Sequence, residues 1–137
     1  MSKFNCVCII EDNPASVFWI KELMEEVDFA NTILVYNDGK SAIEQLADKV
    51  INEAEAPEII FLDLNMPVMD GWEFLDEFMK INPVKEILIY ILTSSVDPED
   101  TIKAKKYEMV SGYIVKPITE VQLKTILTET KSSAGQS

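Results

Sequence analysis

The chain has 137 residues, which is enough for one domain with a sizeable buried core. It carries 24 acidic and 12 basic side chains, a formal net charge of −12 at pH 7, and a domain this acidic is not expected to bind nucleic acid. It has no histidine, no apolar run long enough to span a membrane and no secretion signal, which excludes histidine chemistry and predicts a cytoplasmic protein without a membrane partner.

Apolar runs and helix-like patterns alternate along the chain. Successive strands begin about two dozen residues apart, a spacing typical of strand–helix–strand units with right-handed crossovers. Because the strands are almost continuously apolar, we predict a parallel sheet covered by helices on both faces, a three-layer α/β sandwich. The predicted strands cover residues 5–10, 32–36, 58–62, 87–92 and 112–115, and the predicted helices cover residues 14–27, 40–52, 72–81, 98–107 and a segment that begins after Thr119.

The first predicted strand carries two cysteines and ends in two acids. Cys6 and Cys8 lie two residues apart in a strand, so their side chains share one face. Two thiols alone provide neither a disulfide framework nor an adequate metal site, and we interpret both as small core residues. The acidic pair Glu11 and Asp12 that follows is the first candidate for a functional site.

The third predicted strand ends abruptly at Asp63. In an open α/β sheet, ligands bind beyond the carboxyl ends of the strands, which places Asp63 where side chains do chemistry. A helix-capping role is the alternative, but the next helix begins too far along the chain, near Gly71. In that helix, Leu75, Phe78 and Met79 recur at helical spacing and are expected to face the core.

Strand order decides which of these ends meet. Spacing alone does not give the order, but the flavodoxin-like order 2-1-3-4-5 puts a switch point between strands 1 and 3 and brings Glu11, Asp12 and Asp63 together. Three close carboxylates repel one another unless a cation joins them. An all-oxygen ligand set without histidine or thiolate favours Mg²⁺.

The fourth and fifth strands end at the same edge, in Thr93 and Lys116. A hydroxyl and an ammonium group facing a carboxylate–metal cluster suit a tetrahedral anion, most simply a phosphoryl group. Carboxylates are established phosphoryl acceptors, and such transfer needs in-line positioning and neutralisation of charge on the phosphoryl oxygens. Each residue alone has an ordinary structural alternative, but their shared position at one edge favours a site.

Four motifs resemble the receiver domain of two-component response regulators, a family whose chemotaxis members have the 2-1-3-4-5 order. The match spans about residues 3–130. The predicted strand order therefore depends on the resemblance. The motifs are Glu11-Asp12, Asp63-Leu64-Asn65-Met66-Pro67-Val68-Met69-Asp70-Gly71, Leu92-Thr93-Ser94 and Tyr113-Ile114-Val115-Lys116-Pro117.

The resemblance implies that Asp63 accepts a phosphoryl group from a histidine kinase or a histidine phosphotransfer protein. Glu11, Asp12 and the main-chain carbonyl of Asn65 would bind Mg²⁺ together with Asp63. Glu11 stands where aspartate is also common in the family, and its longer side chain should leave metal binding intact. Asn65 and Ser95 occupy positions that tune the lifetime of the acyl phosphate.

The resemblance also implies a switch. Lys116 would pair with the phosphoryl group and precede a cis peptide bond at Pro117. Thr93 would move to bond a phosphoryl oxygen, which would let the ring of Tyr113 turn inward. This would repack the surface formed by helix 4, strand 5 and helix 5, which a downstream target protein would recognise.

The expected organisation is a receiver domain over residues 1–130 followed by a flexible tail over residues 131–137. Such a stand-alone, chemotaxis-regulator-like receiver would signal by protein contact, without an attached output module. We do not expect an enzyme in the ordinary sense, because it would catalyse only its own phosphorylation and slow autodephosphorylation. Homodimerisation on phosphorylation is a question that the sequence leaves open.

Three other functions share some of these features. A haloacid-dehalogenase-like phosphatase also uses an aspartate nucleophile, but it carries Asp-x-Asp on its first strand, whereas this acceptor lies on strand 3 and position 65 is asparagine. A flavodoxin-type binding module needs a first loop that cradles phosphate, and Glu11 and Asp12 would repel one. A scaffold with a degenerate site is disfavoured by the intact acceptor, acids, threonine and lysine.

Overall fold

The computed structural model describes residues 3–52, 54–66, 68–81, 83–94 and 97–136, and along them five strands alternate with five helices. The strands are parallel and lie in the order β2-β1-β3-β4-β5, which confirms the predicted fold. The elements are β1 (Phe4–Ile10), α1 (Pro14–Glu26), β2 (Ala30–Tyr36), α2 (Gly39–Lys49), β3 (Ile59–Asp63), α3 (Gly71–Phe78), β4 (Leu88–Thr93), α4 (Pro98–Ala104), β5 (Val110–Val115) and α5 (Glu120–Gln136).

The central strand β3 accounts for the three layers. All five of its residues are buried, and successive side chains point to opposite faces of the sheet. Ile60 and Leu62 belong to the core shared with α2, α3 and α4, whereas Ile59 and Phe61 belong to the core shared with α1 and α5. One continuous apolar run thus serves two cores and ends at Asp63, the first polar side chain of the strand.

Side-chain caps fix where the helices begin after the acidic strand ends. The Asn13 side chain accepts hydrogen bonds from the amides of Ala15 and Ser16, and the helix begins at Pro14, the first residue of the predicted helix. Asp70 and Glu73 form a reciprocal capping box at the start of α3. Both helices therefore begin at defined residues close to Glu11 and Asp63.

Gly71 lets α3 begin directly against the end of β3. Its amide donates to the Leu64 carbonyl at 3.0 Å. A Cβ at this position would lie 2.8 Å from the Leu64 Cα and 2.9 Å from the Asp63 carbonyl oxygen, closer than ordinary contacts allow. Only a residue without a side chain fits here, so Gly71 couples the position of α3 to the backbone of Asp63.

Replacing Gly71 with alanine is expected to destabilise the protein by about 2 kcal/mol, because the methyl group meets backbone that cannot move aside cheaply. The measurement is urea unfolding, with a lower midpoint at an unchanged slope. Helix propensity alone favours alanine. A variant as stable as the wild type would therefore contradict the close approach.

Helix α3 corrects one sequence-based expectation. Met79 is 55% exposed, whereas Phe74 is buried in its place together with Leu75 and Phe78. Met79 is the C-cap of the helix, and its amide still donates to the Leu75 carbonyl at 3.0 Å, so its exposure comes from its position on the helix surface. Helical spacing fits both Phe74 and Met79 as partners of Leu75 and Phe78, and only packing decides which of them is buried. The helix ends at Phe78, three residues earlier than predicted.

The last helix extends into the C-terminal segment. The backbone of α5 continues to Gln136, and Ser137 lies outside the described residues. The flexible tail over residues 131–137 stays a prediction. No proline interrupts this segment, and its backbone can continue the hydrogen bonds of the preceding turns. The division of the chain at residue 130 stays a prediction. None of the helices in the described residues is both long and apolar enough to cross a membrane.

Candidate functional site

The ends of β1 and β3 bring three carboxylates together. Ile10 pairs with Leu62 across the two strands, which puts the residues that follow them side by side. Glu11, Asp12 and Asp63 each offer a carboxylate oxygen, and these oxygens all lie within 4.8 Å of one another. Glu11 and Asp63 are buried and Asp12 is exposed, so the cluster opens to solvent on one side.

Lys116 reaches the same cluster from the end of β5. Its Nζ donates a hydrogen bond to Glu11 Oε1 and lies 3.5 Å from Asp63 Oδ1. Its amide donates to the Thr93 carbonyl at 2.7 Å. The predicted ammonium group therefore faces the predicted carboxylates. The peptide bond between Lys116 and Pro117 is cis, as the resemblance implied.

Thr93 is fully buried at the end of β4. Its predecessor Leu92 pairs with Asp63 in the sheet, and Thr93 itself pairs with Val115, the residue before Lys116. The register thus places Thr93 between the strand ends that carry the acceptor and the lysine. Ser95, which was predicted to tune the lifetime of the acyl phosphate, lies outside the described residues.

The electrostatics of the cluster are most evident at Glu11. Burial raises the pKa of the Glu11 carboxyl, and so do a hydrogen bond with Asp63 and the negative charge of Asp63. Lys116 and the Asn13 amide lower the same pKa. The net result is a raised pKa, because burial and the neighbouring Asp63 outweigh the effects of Lys116 and the Asn13 amide. A buried carboxylate with an incompletely compensated charge favours a cation.

The donor set fits Mg²⁺. Three carboxylate oxygens at this separation, without nitrogen or sulfur donors, match the ligands that hard divalent cations prefer. The Asn65 amide donates to Asp63 Oδ1 at 3.2 Å, which holds the Asn65 backbone beside the cluster. The Asn65 main-chain carbonyl stays a predicted fourth ligand.

Tyr113, on β5, lies next to Thr93 at the end of β4. Its hydroxyl is buried and makes no hydrogen bond of ordinary geometry within the described residues. Burial raises the pKa of the Tyr113 phenol, and the hydroxyls of Thr93 and of Thr101 in α4 are close enough to act in the opposite direction. The ring therefore occupies the space between the end of β4 and α4.

Two contacts of the site were not predicted. The bond between Lys116 and Glu11 joins two residues for which separate roles were expected, and the length of the glutamate side chain was the only available signal. The Trp19 indole donates to the Ile118 carbonyl at 3.0 Å, which ties α1 to the segment after Pro117. No sequence pattern links residues so far apart.

Comparison with known protein families gives a match over most of the chain. The family described as response regulator receiver domain matches residues 7–128. The probable methanogenesis regulatory protein FilR2 of Methanothrix harundinacea is 29% identical over 125 residues, which cover 91% of this chain and 80% of that protein. Response regulator Rcp1 of Synechocystis is 30% identical over 112 residues, which cover 80% of this chain and 75% of Rcp1.

Solved structures give the same result. A two-component response regulator from Cytophaga hutchinsonii has a TM-score of 0.86 at 27% identity, and the similarity covers 96% of this chain and 99% of that one. The Mn²⁺-bound form of Rcp1 has a TM-score of 0.72 at 25% identity and covers 90% of both chains. Other relatives are longer, and this chain spans 31% and 32% of two of them.

Proposed function

This chain belongs to the response regulator receiver domain family, and from that premise we propose that it accepts a phosphoryl group on Asp63. The observation that carries the proposal is the position of the Asp63 carboxylate. It is buried at a strand end, within 4.8 Å of two other carboxylates and 3.5 Å from the Lys116 ammonium. That combination supplies a nucleophile, a cation-binding oxygen cluster and a fixed positive charge at one point.

The proposed reaction is an in-line displacement. An Asp63 carboxylate oxygen attacks phosphorus, the bond from phosphorus to the donor nitrogen breaks, and its electron pair remains on that nitrogen, which takes up a proton. The product is an acyl phosphate. The chain has no histidine, so the phosphohistidine donor is a separate group, carried by a histidine kinase or a histidine phosphotransfer protein.

The residues around Asp63 have distinct proposed roles. Lys116 pairs with a phosphoryl oxygen, and Thr93 donates its hydroxyl to another. Glu11, Asp12, Asp63 and the Asn65 main-chain carbonyl would hold Mg²⁺, which would offset the negative charge on the phosphoryl oxygens. The Mn²⁺-bound form of Rcp1 supports a divalent cation in a related protein.

The proposed output is a change of surface on α4, β5 and α5. Recruitment of Thr93 to the phosphoryl group would alter its packing with Tyr113, whose hydroxyl is close to Thr101 of α4. A net charge of −12 favours a protein target over nucleic acid. We place this signalling in the cytoplasm, and dimerisation of the phosphorylated chain is an outcome that sedimentation would detect.

The test is labelling by a small phosphodonor. Incubation with Mg²⁺ and acetyl phosphate should add one phosphoryl group by intact mass, located at Asp63 by peptide mapping and prevented by EDTA. The acyl phosphate should decay slowly, without turnover of external phosphomonoesters. Release of phosphate from such substrates at ~1–1000 s⁻¹ would instead support the haloacid-dehalogenase-like alternative and overturn the proposal.

A further inference from the structure

Helix α4 is weakly anchored to the sheet. It spans seven residues, Pro98–Ala104, of which only Ala104 is buried. Ile102, its largest apolar side chain, is 61% exposed. A helix this short is marginal without tertiary contacts, so whatever else holds α4 determines where it lies.

A cluster of four side chains joins α4 to α3. The rings of Trp72 and Tyr107 stack with centroids 5.7 Å apart and planes 23° apart, and the Lys103 Nζ lies 4.9 Å from the centre of the Trp72 ring. The Tyr107 hydroxyl donates to Asp76 Oδ1 at 2.8 Å. Trp72 and Asp76 lie one helical turn apart on α3, and Lys103 and Tyr107 have the same spacing in α4 and the turn after it.

The turn after α4 fixes the position of Tyr107 in this cluster. The Tyr107 amide donates to the Ala104 carbonyl at 3.1 Å, and the Val110 amide donates to the Tyr107 carbonyl at 3.1 Å. Tyr107 is therefore fixed between the buried end of α4 and the start of β5. This explains why α4 ends at Ala104, three residues earlier than the periodic pattern predicted.

Both helices joined by the cluster also lie close to residues of the acidic site. Trp72 directly follows Gly71, which packs on the backbone of Asp63 and Leu64. On its other side, α4 approaches the Tyr113 hydroxyl through Thr101. Helix α4 thus lies between α3, which begins against the backbone of Asp63, and Tyr113, which is close to Thr93.

We propose that Trp72, Asp76, Lys103 and Tyr107 form a latch that holds α4 against α3. The latch keeps small the fraction of molecules in which α4 is released, that is, detached from α3. Its regulatory meaning rests on the proposed phosphorylation of Asp63, because a released α4 would be remodelled more readily once Thr93 is engaged. The latch itself is a property of the unmodified protein. A two-state helix of this kind responds to small changes in contact energy.

Hydrogen exchange read by mass spectrometry tests the latch without any phosphodonor. Tyr107→Phe keeps the ring and removes the bond to Asp76, and Trp72→Leu removes the stack and the cation contact. Each is expected to speed exchange in residues 98–107 by about fivefold, with exchange in α1 and β1 unchanged. Lys80→Gln, which breaks the exposed ion pair with Glu77 on α3, is the matched control and should have no effect on α4.

Unchanged exchange in α4 in both variants would overturn the latch, as would an equal increase in α1. Addition of Mg²⁺ and acetyl phosphate then separates the two proposals. If Asp63 is labelled, phosphorylation should change α4 exchange less in the latch variants than in the wild type, because α4 is already released. If phosphorylation changes α4 exchange equally in the latch variants and in the wild type, the latch has no regulatory role. If Asp63 is not labelled at all, the proposed function is contradicted, while the latch in the unmodified protein is not.

Discussion

Replacing Asp63 with asparagine is expected to abolish labelling by acetyl phosphate, the largest functional effect of any single substitution in this chain. The amide is not a nucleophile, but it has nearly the same shape and keeps an oxygen that can accept the Asn65 amide bond. The readout is intact mass after incubation with Mg²⁺ and the phosphodonor. Asp48→Asn, which removes an exposed carboxylate on α2, is the matched control and should be labelled like the wild type.

The same variant distinguishes lost chemistry from lost folding. The charge of Asp63 helps to raise the pKa of Glu11, so its removal relieves repulsion inside the cluster. Asp63→Asn should therefore be at least as stable as the wild type in EDTA, and should gain less stability from added Mg²⁺. Full labelling of the variant, or labelling at another acid, would show that Asp63 is not the acceptor.

The sequence was most informative where local chemistry and topology agree. The apolar run before Asp63 was correctly predicted to be a strand buried on both faces, and the first helix begins at Pro14 as predicted. Strand order was a different case, because spacing permits several orders and the motifs carried the choice. The error at Met79 arose because helical spacing fits both Phe74 and Met79 as partners of Leu75 and Phe78, and packing buries Phe74.

For the site, side-chain type and strand-end position gave the candidate groups, and the strand order implied by the resemblance predicted which of them converge. The pairings within the cluster were not predictable, because they depend on rotamers and on side-chain length. Lys116 bonds Glu11 because the glutamate side chain extends far enough to meet it. The stack of Trp72 on Tyr107 joins residues on two different helices, and nothing in the local pattern of either helix specifies it.

Lys116→Met is expected to have the largest effect on stability. The substitution keeps the length and apolar stem of the side chain but leaves the fully buried Glu11 without its ion-pair partner. Breaking a buried pair from one side costs roughly 3 kcal/mol, because the remaining charge stays desolvated. Urea unfolding at pH 8 measures the loss. Lys124→Met, which breaks an exposed pair with Glu120 on α5, should cost a small fraction of that.

The pH dependence of this loss identifies its cause. The pKa of Glu11 in the folded protein is already raised above 4.5, and removal of Lys116, which lowers it, should raise it further. A carboxyl with a raised folded pKa binds its proton more tightly in the folded state. Its stabilising contribution is complete below about 4.5 and is lost as pH rises through the folded pKa.

The difference in unfolding free energy between Lys116→Met and the wild type should therefore be largest at pH 8 and shrink as pH falls toward 5, because protonation of Glu11 removes the unpaired charge. The measurement is urea unfolding of both proteins across that range in EDTA, so that bound metal does not contribute. An equal loss at pH 8 and pH 5 would contradict this cause, because protonation of Glu11 would then leave the loss unchanged.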